Sequence, residues 1–279
     1  MTEQLGVSRK KILFVTAFKE LGRERWAYWA RRTDEYFVSF KNIVECLKHD
    51  LIVFIEDSLR ERVQAIVDAA AAADRVTVMD YRSVNSFLVK YLDHERAVMA
   101  APAFRQLVAH RRDCPETYIP EYTLVNHSKI NFLSAAQTAR PDYDFYAWTD
   151  FGGCRMEGDI MLIIPQLDVD KIPDRIMYNA FAQPPSERPD ETTLLRSGNV
   201  HMTGGGFIVP ASRVKQFERA WELKLIDWQV RGIADDDQAL VLQLFYDAPG
   251  DFLLICSGAY NMLYILLPKI LDRLQPLNP

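Results

Sequence analysis

Cysteine is scarce in this 279-residue chain. Cys46, Cys114, Cys154 and Cys256 lie far apart with no paired spacing, which excludes a small disulfide framework and a cysteine-based zinc site and points to reduced thiols in the cytosol. Basic charge is not in excess: 33 Lys and Arg stand against 38 Asp and Glu, a net charge of -5. General attraction to nucleic acid is therefore not expected, the basic clusters RERWAYWARR and HRRD being short. No stretch approaches the roughly 20 apolar residues that span a bilayer. The polar start MTEQLGVSRKK, with the short run ILFVTAF after it, does not read as a signal peptide. The nearest membrane candidate, YNMLYILLPKILDRLQPL, carries charges and Pro268. A helix broken at that proline and packed on the protein body is expected there, with peripheral membrane contact as the alternative. Phosphate-binding glycine loops are missing as well. The segment TAFKELGRERW lacks the dinucleotide fingerprint, the P-loop and the glycine-rich loop of sugar nucleotidyltransferases. Any phosphates must be held by a metal, by Lys and Arg, or by backbone amides.

What is present is an alternation of strands and helices. KILFVTAF, DLIVFIED and RVTVMDY are short runs rich in β-branched residues that stop on polar groups, as buried parallel strands do. Between them DEYFVSFKNIVECLKH and SLRERVQAIVDAAAAAD carry apolar residues at helical spacing, the alanine run at 69–73 being read as helical. This βαβαβ beginning predicts a mostly parallel central sheet flanked by helices. Further helices are expected from about Asn85 to Met99 and from Asn126 to Thr138, followed by the strand YDFYAW. The later pattern is less regular: RIMYNAF, a polar segment at 183–199 read as a long surface loop, and GGGFIVP. Helices over ASRVKQFERAWELKLIDW and DDDQALVLQLFYD and a strand DFLLIC follow. One domain over 1–279 is expected, with about 11–150 as the half that holds a nucleotide and about 151–279 as the acceptor half with the C-terminal helix.

Three features together point to chemistry. Asp150, followed by Gly152 and Gly153, ends an apolar strand where open α/β sheets place their ligands, and its carboxylate is a candidate metal ligand. The glycines of HMTGGGFIVP, Gly205 and Gly206 among them, open a strand and leave room for a sugar or a tight turn. Asp235, Asp236 and Asp237 precede Gln238 at a helix start, where acids cap the helix and can also face a cleft. Each feature alone has a structural explanation as a turn or a cap, so the coincidence of the three carries the argument. Trp26, Trp29, Trp148, Trp221 and Trp228 are read as core or inter-helix residues rather than sugar-stacking rings. His201, ahead of the glycines, is read as a loop residue, with chemistry as the alternative.

The set VTAFKELGRERW with RRTDEYFVSF, NHSKINFL, YDFYAWTDFGG, GGGFIVP and DDDQALVLQLFYDAPGDF resembles the HtrL/YibB-like family of bacterial proteins, related to glycosyltransferases of the GT-A (Rossmann-like) fold. The resemblance covers most of the chain. It implies transfer of a sugar from a nucleotide diphosphate donor, a UDP-sugar first, to a hydroxyl of a bacterial surface glycan or lipid-linked glycan. That work would take place in the cytoplasm or at the inner face of the membrane, for polysaccharide or lipopolysaccharide synthesis. It also implies that Thr16, Ala17 and Phe18 border the base, and that Glu56 or Asp57 binds base or ribose. Lys129 lies near the donor, and Asp150 is the last acid of the DxD element, with Mn2+ or Mg2+ as cofactor. Trp148 stands where the first acid of that element would be, and no histidine follows His201 to act as a late ligand; Ser257 and Asn261 are the polar residues there. Where the metal is weak or absent, Arg23 and Arg155 are expected to neutralise the diphosphate, a surface arginine being the alternative for each, and Tyr260 is a candidate acceptor contact. Asp237, with Asp236 second, is the expected catalytic acid: a base in an inverting enzyme, or with Gln238 a neighbour of the anomeric carbon in a retaining one. The alternatives are a nucleotidyltransferase, disfavoured by the missing glycine loop, and a non-catalytic protein that binds a nucleotide sugar or glycan.

Overall fold

The computed structural model describes residues 9–111, 113–154 and 167–256. Among these residues seven strands form one sheet: β1 (Ile12–Phe18), β2 (Asp50–Ile55), β3 (Val76–Asp80), β4 (Phe145–Thr149), β5 (Ile176–Ala180), β6 (Met202–Pro210) and β7 (Phe252–Cys256), in the order β3-β2-β1-β4-β6-β5-β7. Every neighbouring pair is parallel except those of β6, which runs antiparallel to both β4 and β5. The expected α/β class and mostly parallel sheet are therefore present. The reversed strand matters for function. It brings the start of β6 beside the end of β4, so that Gly206 pairs with Thr149 and the Asp150 amide donates to the Gly205 carbonyl at 3.0 Å.

Alternation along the strands builds two apolar layers. Leu13, Val15, Phe54, Tyr146, Trp148 and Phe207 face one side, under α3 (Phe87–Ala100), α5 (Pro120–His127), α6 (Lys129–Ala139), α8 (Val214–Val230) and α9 (Asp237–Asp247). Ile12, Phe14, Val53, Ala147 and Ile208 face the other, under α1 (Thr33–Cys46) and α2 (Asp57–Ala69). Trp221 and Trp228 are buried in the first layer, as their spacing on α8 indicates. Among the described residues no helix is long and apolar enough to cross a membrane. The C-terminal segment with Pro268 lies outside the described residues.

Several local expectations need correction. The helix expected over 126–138 is two helices that meet at Ser128, and α5 starts at Pro120, whose fixed φ suits a first helical position. The alanine run does not continue α2, which ends at Ala69 with Ala71 at φ +49°. The polar segment at 183–199 contains α7 (Glu191–Ser197). Asp190 caps it by accepting from the Thr193 amide at 2.9 Å, and Gly198 closes it at φ +61°. A short α4 (Pro102–Leu107) was also not foreseen. The glycine triple lies within β6 rather than opening it, since the strand begins at Met202.

Beneath the carboxyl ends of β1 and β4 sits an aromatic stack. Phe151 lies parallel to Phe40 at 4.4 Å between ring centres and stacks on Phe18 at 4.9 Å, with Phe37 edge-on. Phe40 is fully buried and holds this platform from α1. Phe40→Ala is expected to cost about 3–5 kcal/mol, the usual range for truncating a buried phenylalanine. The check is the denaturant midpoint; a cost below about 1 kcal/mol would mean that the stack does not support the strand ends.

Candidate functional site

A cleft of about 560 Å³ opens at the carboxyl ends of β1 and β4. Lys129, the first residue of α6, enters it from below and is 5% exposed. Its ammonium donates to the Asp237 Oδ2 at 2.9 Å and to the Gly204 carbonyl at 2.9 Å, and lies 3.4 Å from the Asp150 Oδ1. Three separate elements thus point oxygen at one nitrogen. Burial opposes the charge on Lys129, yet the two carboxylates outweigh it and its pKa is raised. Glycine at 204 is a steric requirement here: a Cβ would collide with the Asp237 carboxylate and stand 2.8 Å from the Lys129 nitrogen.

The acid run is fixed with equal detail. Asp236 caps α9 by accepting from the Gln238 amide at 3.0 Å, and its other oxygen accepts from the Gln238 side chain at 3.0 Å. Burial first, then the neighbouring Asp237 and Asp235, push the Asp236 carboxyl well above the usual carboxylate range; Asp237 is raised by burial and pulled back by Lys129. The carbonyl of Asp235 is held by buried His127 at 2.8 Å from Nε2. The Trp221 indole donates to His127 Nδ1 at 3.1 Å, and an indole nitrogen only donates, so Nδ1 accepts and Nε2 carries the hydrogen. Burial lowers the His127 pKa to about 4, which keeps the ring neutral. His127 is a positioning residue for the acids, a role the sequence reading missed.

Ala17, Phe18, Arg23, Lys129, Asp150 and Gly205 all line the cleft, as do Asp236, Asp237 and Gln238. Gln238 Oε1 has no hydrogen-bond partner among the described residues. Thr16 is fully buried below, and Gly206 lies one residue further along β6. Two expected base or ribose contacts are not placed there. Glu56 is taken by Lys19 at 2.7 Å and by the Glu20 amide at 3.1 Å, while Asp57 opens α2 and pairs with Arg60 at 3.3 Å. Neither lines the cleft. His201 is not a lining residue either. Arg155, Ser257, Tyr260 and Asn261 lie outside the described residues.

The tryptophan reading needs correction at two positions. Trp29 is 62% exposed with a backbone φ of +58°, a strained conformation for a bulky residue, and both Trp26 and Trp29 line the cleft. Arg23 organises this wall. Its Nε donates to the Trp29 carbonyl at 2.8 Å and its Nη1 to the Tyr36 hydroxyl at 2.9 Å, and its guanidinium lies over the rings of Trp26 and Tyr122 at 5.3 and 5.7 Å. Arg31 was also missed: it is buried against the Tyr36 ring at 3.8 Å and donates to the Gly152 carbonyl at 3.1 Å. A Cβ on Gly152 would run into both side chains, so that glycine signalled a crowded wall. A second cavity of about 350 Å³ between α8, α9 and β7 is mostly apolar. Its charges are paired, Lys224 on Asp247 at 2.9 Å and Arg213 on Asp251 at 2.7 Å within the lining, and Asp227 on Arg231 beside it at 3.1 Å.

The described donors do not fit a divalent cation held by protein. Asp150 Oδ1 accepts from the Trp148 indole at 2.7 Å and faces Lys129, and the Asp237 and Gly204 oxygens are also turned to that ammonium. Among the described residues no group of three His, Cys, Asp or Glu is placed to hold a metal ion. Two like unit charges 4 Å apart repel by about 4 kcal/mol at an effective dielectric constant of ~20, and a divalent ion beside Lys129 would double that.

A family model described as "Bacterial protein of unknown function (HtrL_YibB)" matches residues 10–266. Protein HtrL of Escherichia coli (strain K12) is 24% identical over 254 residues, covering 85% of each chain. Among solved structures, mouse xyloside xylosyltransferase 1 aligns over 89% of this chain and 85% of its own with a TM-score of 0.46 and 9% identity. A 4-diphosphocytidyl-2C-methyl-D-erythritol synthase from Anaerococcus prevotii DSM 20548 aligns over 95% and 97% with a TM-score of 0.43 and 9% identity. Likenesses at these scores do not decide function.

Two outcomes follow from the buried charges. Lys129→Met leaves Asp237 buried without its cation and is expected to cost about 3–5 kcal/mol in denaturant unfolding; a cost under 1 kcal/mol would mean the pair is not formed. Behind Asp235, fully buried Glu95 has its pKa pushed up to about 7 by burial, with Gln229 donating to it at 2.7 Å and working against the shift. A folded pKa above the unfolded one means stability is complete below about pH 4.5 and declines as pH rises to 7, by roughly 3 kcal/mol. Glu95→Gln is therefore expected to gain on the wild type between pH 5 and pH 8. A stability difference that is the same at both pH values would contradict this.

Proposed function

The chain belongs to the bacterial HtrL_YibB family, and from that premise and the geometry of the cleft we propose that it is a glycosyltransferase. It would move a sugar from a nucleoside diphosphate donor, a UDP-sugar first, to a hydroxyl of a surface glycan or lipid-linked glycan. The observation that carries this reading is the convergence of Lys129, Asp150 and Asp237 in a cleft at the carboxyl ends of the strands, where open α/β sheets bind ligands. Lys129, Asp150 and Asp237, three of the residues named by the resemblance and far apart in sequence, lie together in it.

The reaction breaks the bond between the anomeric carbon and the diphosphate oxygen and forms one to the acceptor oxygen, whose proton must leave. Negative charge grows on the departing diphosphate. Lys129 and Arg23 supply fixed positive charge on that side, in a partly enclosed cleft where charge acts strongly. We assign to Asp237 the role of taking the acceptor proton or, with Gln238, of standing beside the anomeric carbon. The faces of Trp26 and Trp29 at the mouth suit the apolar faces of sugar rings. Work on a lipid-linked acceptor would place the protein in the cytoplasm, at the inner face of the membrane.

A second reading is a protein of the same layout that binds a nucleotide sugar or glycan without turnover. It is favoured by Trp148, which puts an indole donor on Asp150 where the resembled element has an acid. Asp237→Asn separates the two. With a competent donor found by thermal-shift screening of UDP, GDP and CMP sugars, transfer is expected to fall by about 10²–10⁴-fold, the usual contribution of a positioned acid or base. Turnover near wild type would remove Asp237 from the chemistry; donor binding with no transfer or hydrolysis by the wild type would favour the binding protein.

A further inference from the structure

We propose that the ammonium of Lys129 takes the place of a divalent cation in this cleft, so that the protein binds a nucleoside diphosphate without metal. The inference rests on the nucleotide-sugar reading above and goes further by naming the cation. The Lys129 nitrogen occupies a seat of cation type: a carboxylate oxygen at 2.9 Å, a backbone carbonyl at 2.9 Å and a second carboxylate oxygen at 3.4 Å, supplied by α9, β6 and the residue after β4. Hard divalent ions choose this donor chemistry, carboxylate and carbonyl oxygen. Here it surrounds a nitrogen tethered to α6.

Two further features commit the seat to the lysine. Gly204 is the one residue type that leaves space for the Lys129–Asp237 contact, because a side-chain carbon there would collide with both partners. Trp148, at the position where a second acid would complete a metal pair, donates its indole hydrogen to Asp150 instead and so uses the oxygen that also faces Lys129. The charge lining of the cleft agrees. Among the described residues Lys19, Arg23, Arg31 and Lys129 stand against Glu20, Asp150, Asp236 and Asp237, four of each sign. Lys19 is offset by Glu56 just outside the lining, and Arg31 by Glu35, so Lys129 and Arg23 are the cations that a diphosphate would meet. Both are already fixed in place by the protein, as a bound metal would otherwise have to be.

The test uses the wild-type protein. UDP, GDP and CMP are titrated by calorimetry in EDTA and again in Mn2+, and Mn2+ alone is titrated by electron paramagnetic resonance. Expected are a nucleotide Kd that agrees within about threefold between the two conditions and a free-Mn2+ signal unchanged by protein. A gain of about tenfold or more with Mn2+ would overturn the proposal and leave the nucleotide reading standing. Failure of every nucleotide to bind in both conditions would overturn both. A second arm exchanges the cation. Lys129→Ser empties the seat, and Mn2+ is expected to raise the melting temperature of that variant and not of the wild type. A rise in the wild type, or no rise in the variant, counts against the proposal.

Discussion

The buried contact of Lys129 with Asp237, Asp150 and the Gly204 carbonyl is the interaction on which the described site depends. Desolvating an ammonium and a carboxylate costs more than their attraction returns unless the geometry is good and the remaining hydrogen-bonding capacity is used. The fold supplies that geometry from four directions. The turn at Ser128 starts α6 where its first residue points into the cleft. The reversed direction of β6 delivers Gly204 and Gly205 to the end of β4. The cap at Asp236 starts α9 so that Asp237 faces the lysine. His127, held neutral between Trp221 and the Asp235 carbonyl, ties α5 and α8 to the same run of acids.

Around this polar centre the cleft is built from aromatic groups. The stack of Phe40, Phe151 and Phe18 supports the floor, and the stacking of Arg31 on Tyr36 fills the space that Gly152 leaves open. On the outer wall Arg23 joins the loop carrying Trp26 and Trp29 to Tyr36 on α1 and Tyr122 on α5. Trp29 keeps its left-handed backbone where its ring is exposed and contributes little to the core.

Much of this was legible in the sequence, and the reasons for success and failure are physical. Buried parallel strands announce themselves by short β-branched runs, so β1 to β3 were found; the apolar runs YDFYAW, GGGFIVP and DFLLIC marked β4, β6 and β7, and the apolar spacing of α8 placed Trp221 and Trp228 in the core. Contacts across the chain left weaker signals. Lys129 and Asp237 are 108 residues apart, and no local pattern shows that they touch. The glycine triple was read as room for a ligand, whereas Gly204 makes room for that pair. The break at Ser128 was hidden because apolar spacing runs on through it, although Pro120 marked the helix before it. Trp29 misled for the opposite reason: aromatic residues near helical segments are core more often than not, and only the backbone at φ +58° reveals the exception. Glu56 and Asp57 follow a strand end as nucleotide-binding acids do, but Lys19, Glu20 and Arg60 occupy them.

The most direct measurement of the central claim is a crystal structure grown with UDP and Mn2+, with diffraction recorded at the manganese edge. The account predicts the diphosphate within hydrogen-bonding reach of Lys129 Nζ and no anomalous peak between Asp150 and Asp237. A manganese peak at that point with the lysine displaced, or a nucleotide bound away from Asp150, would contradict it.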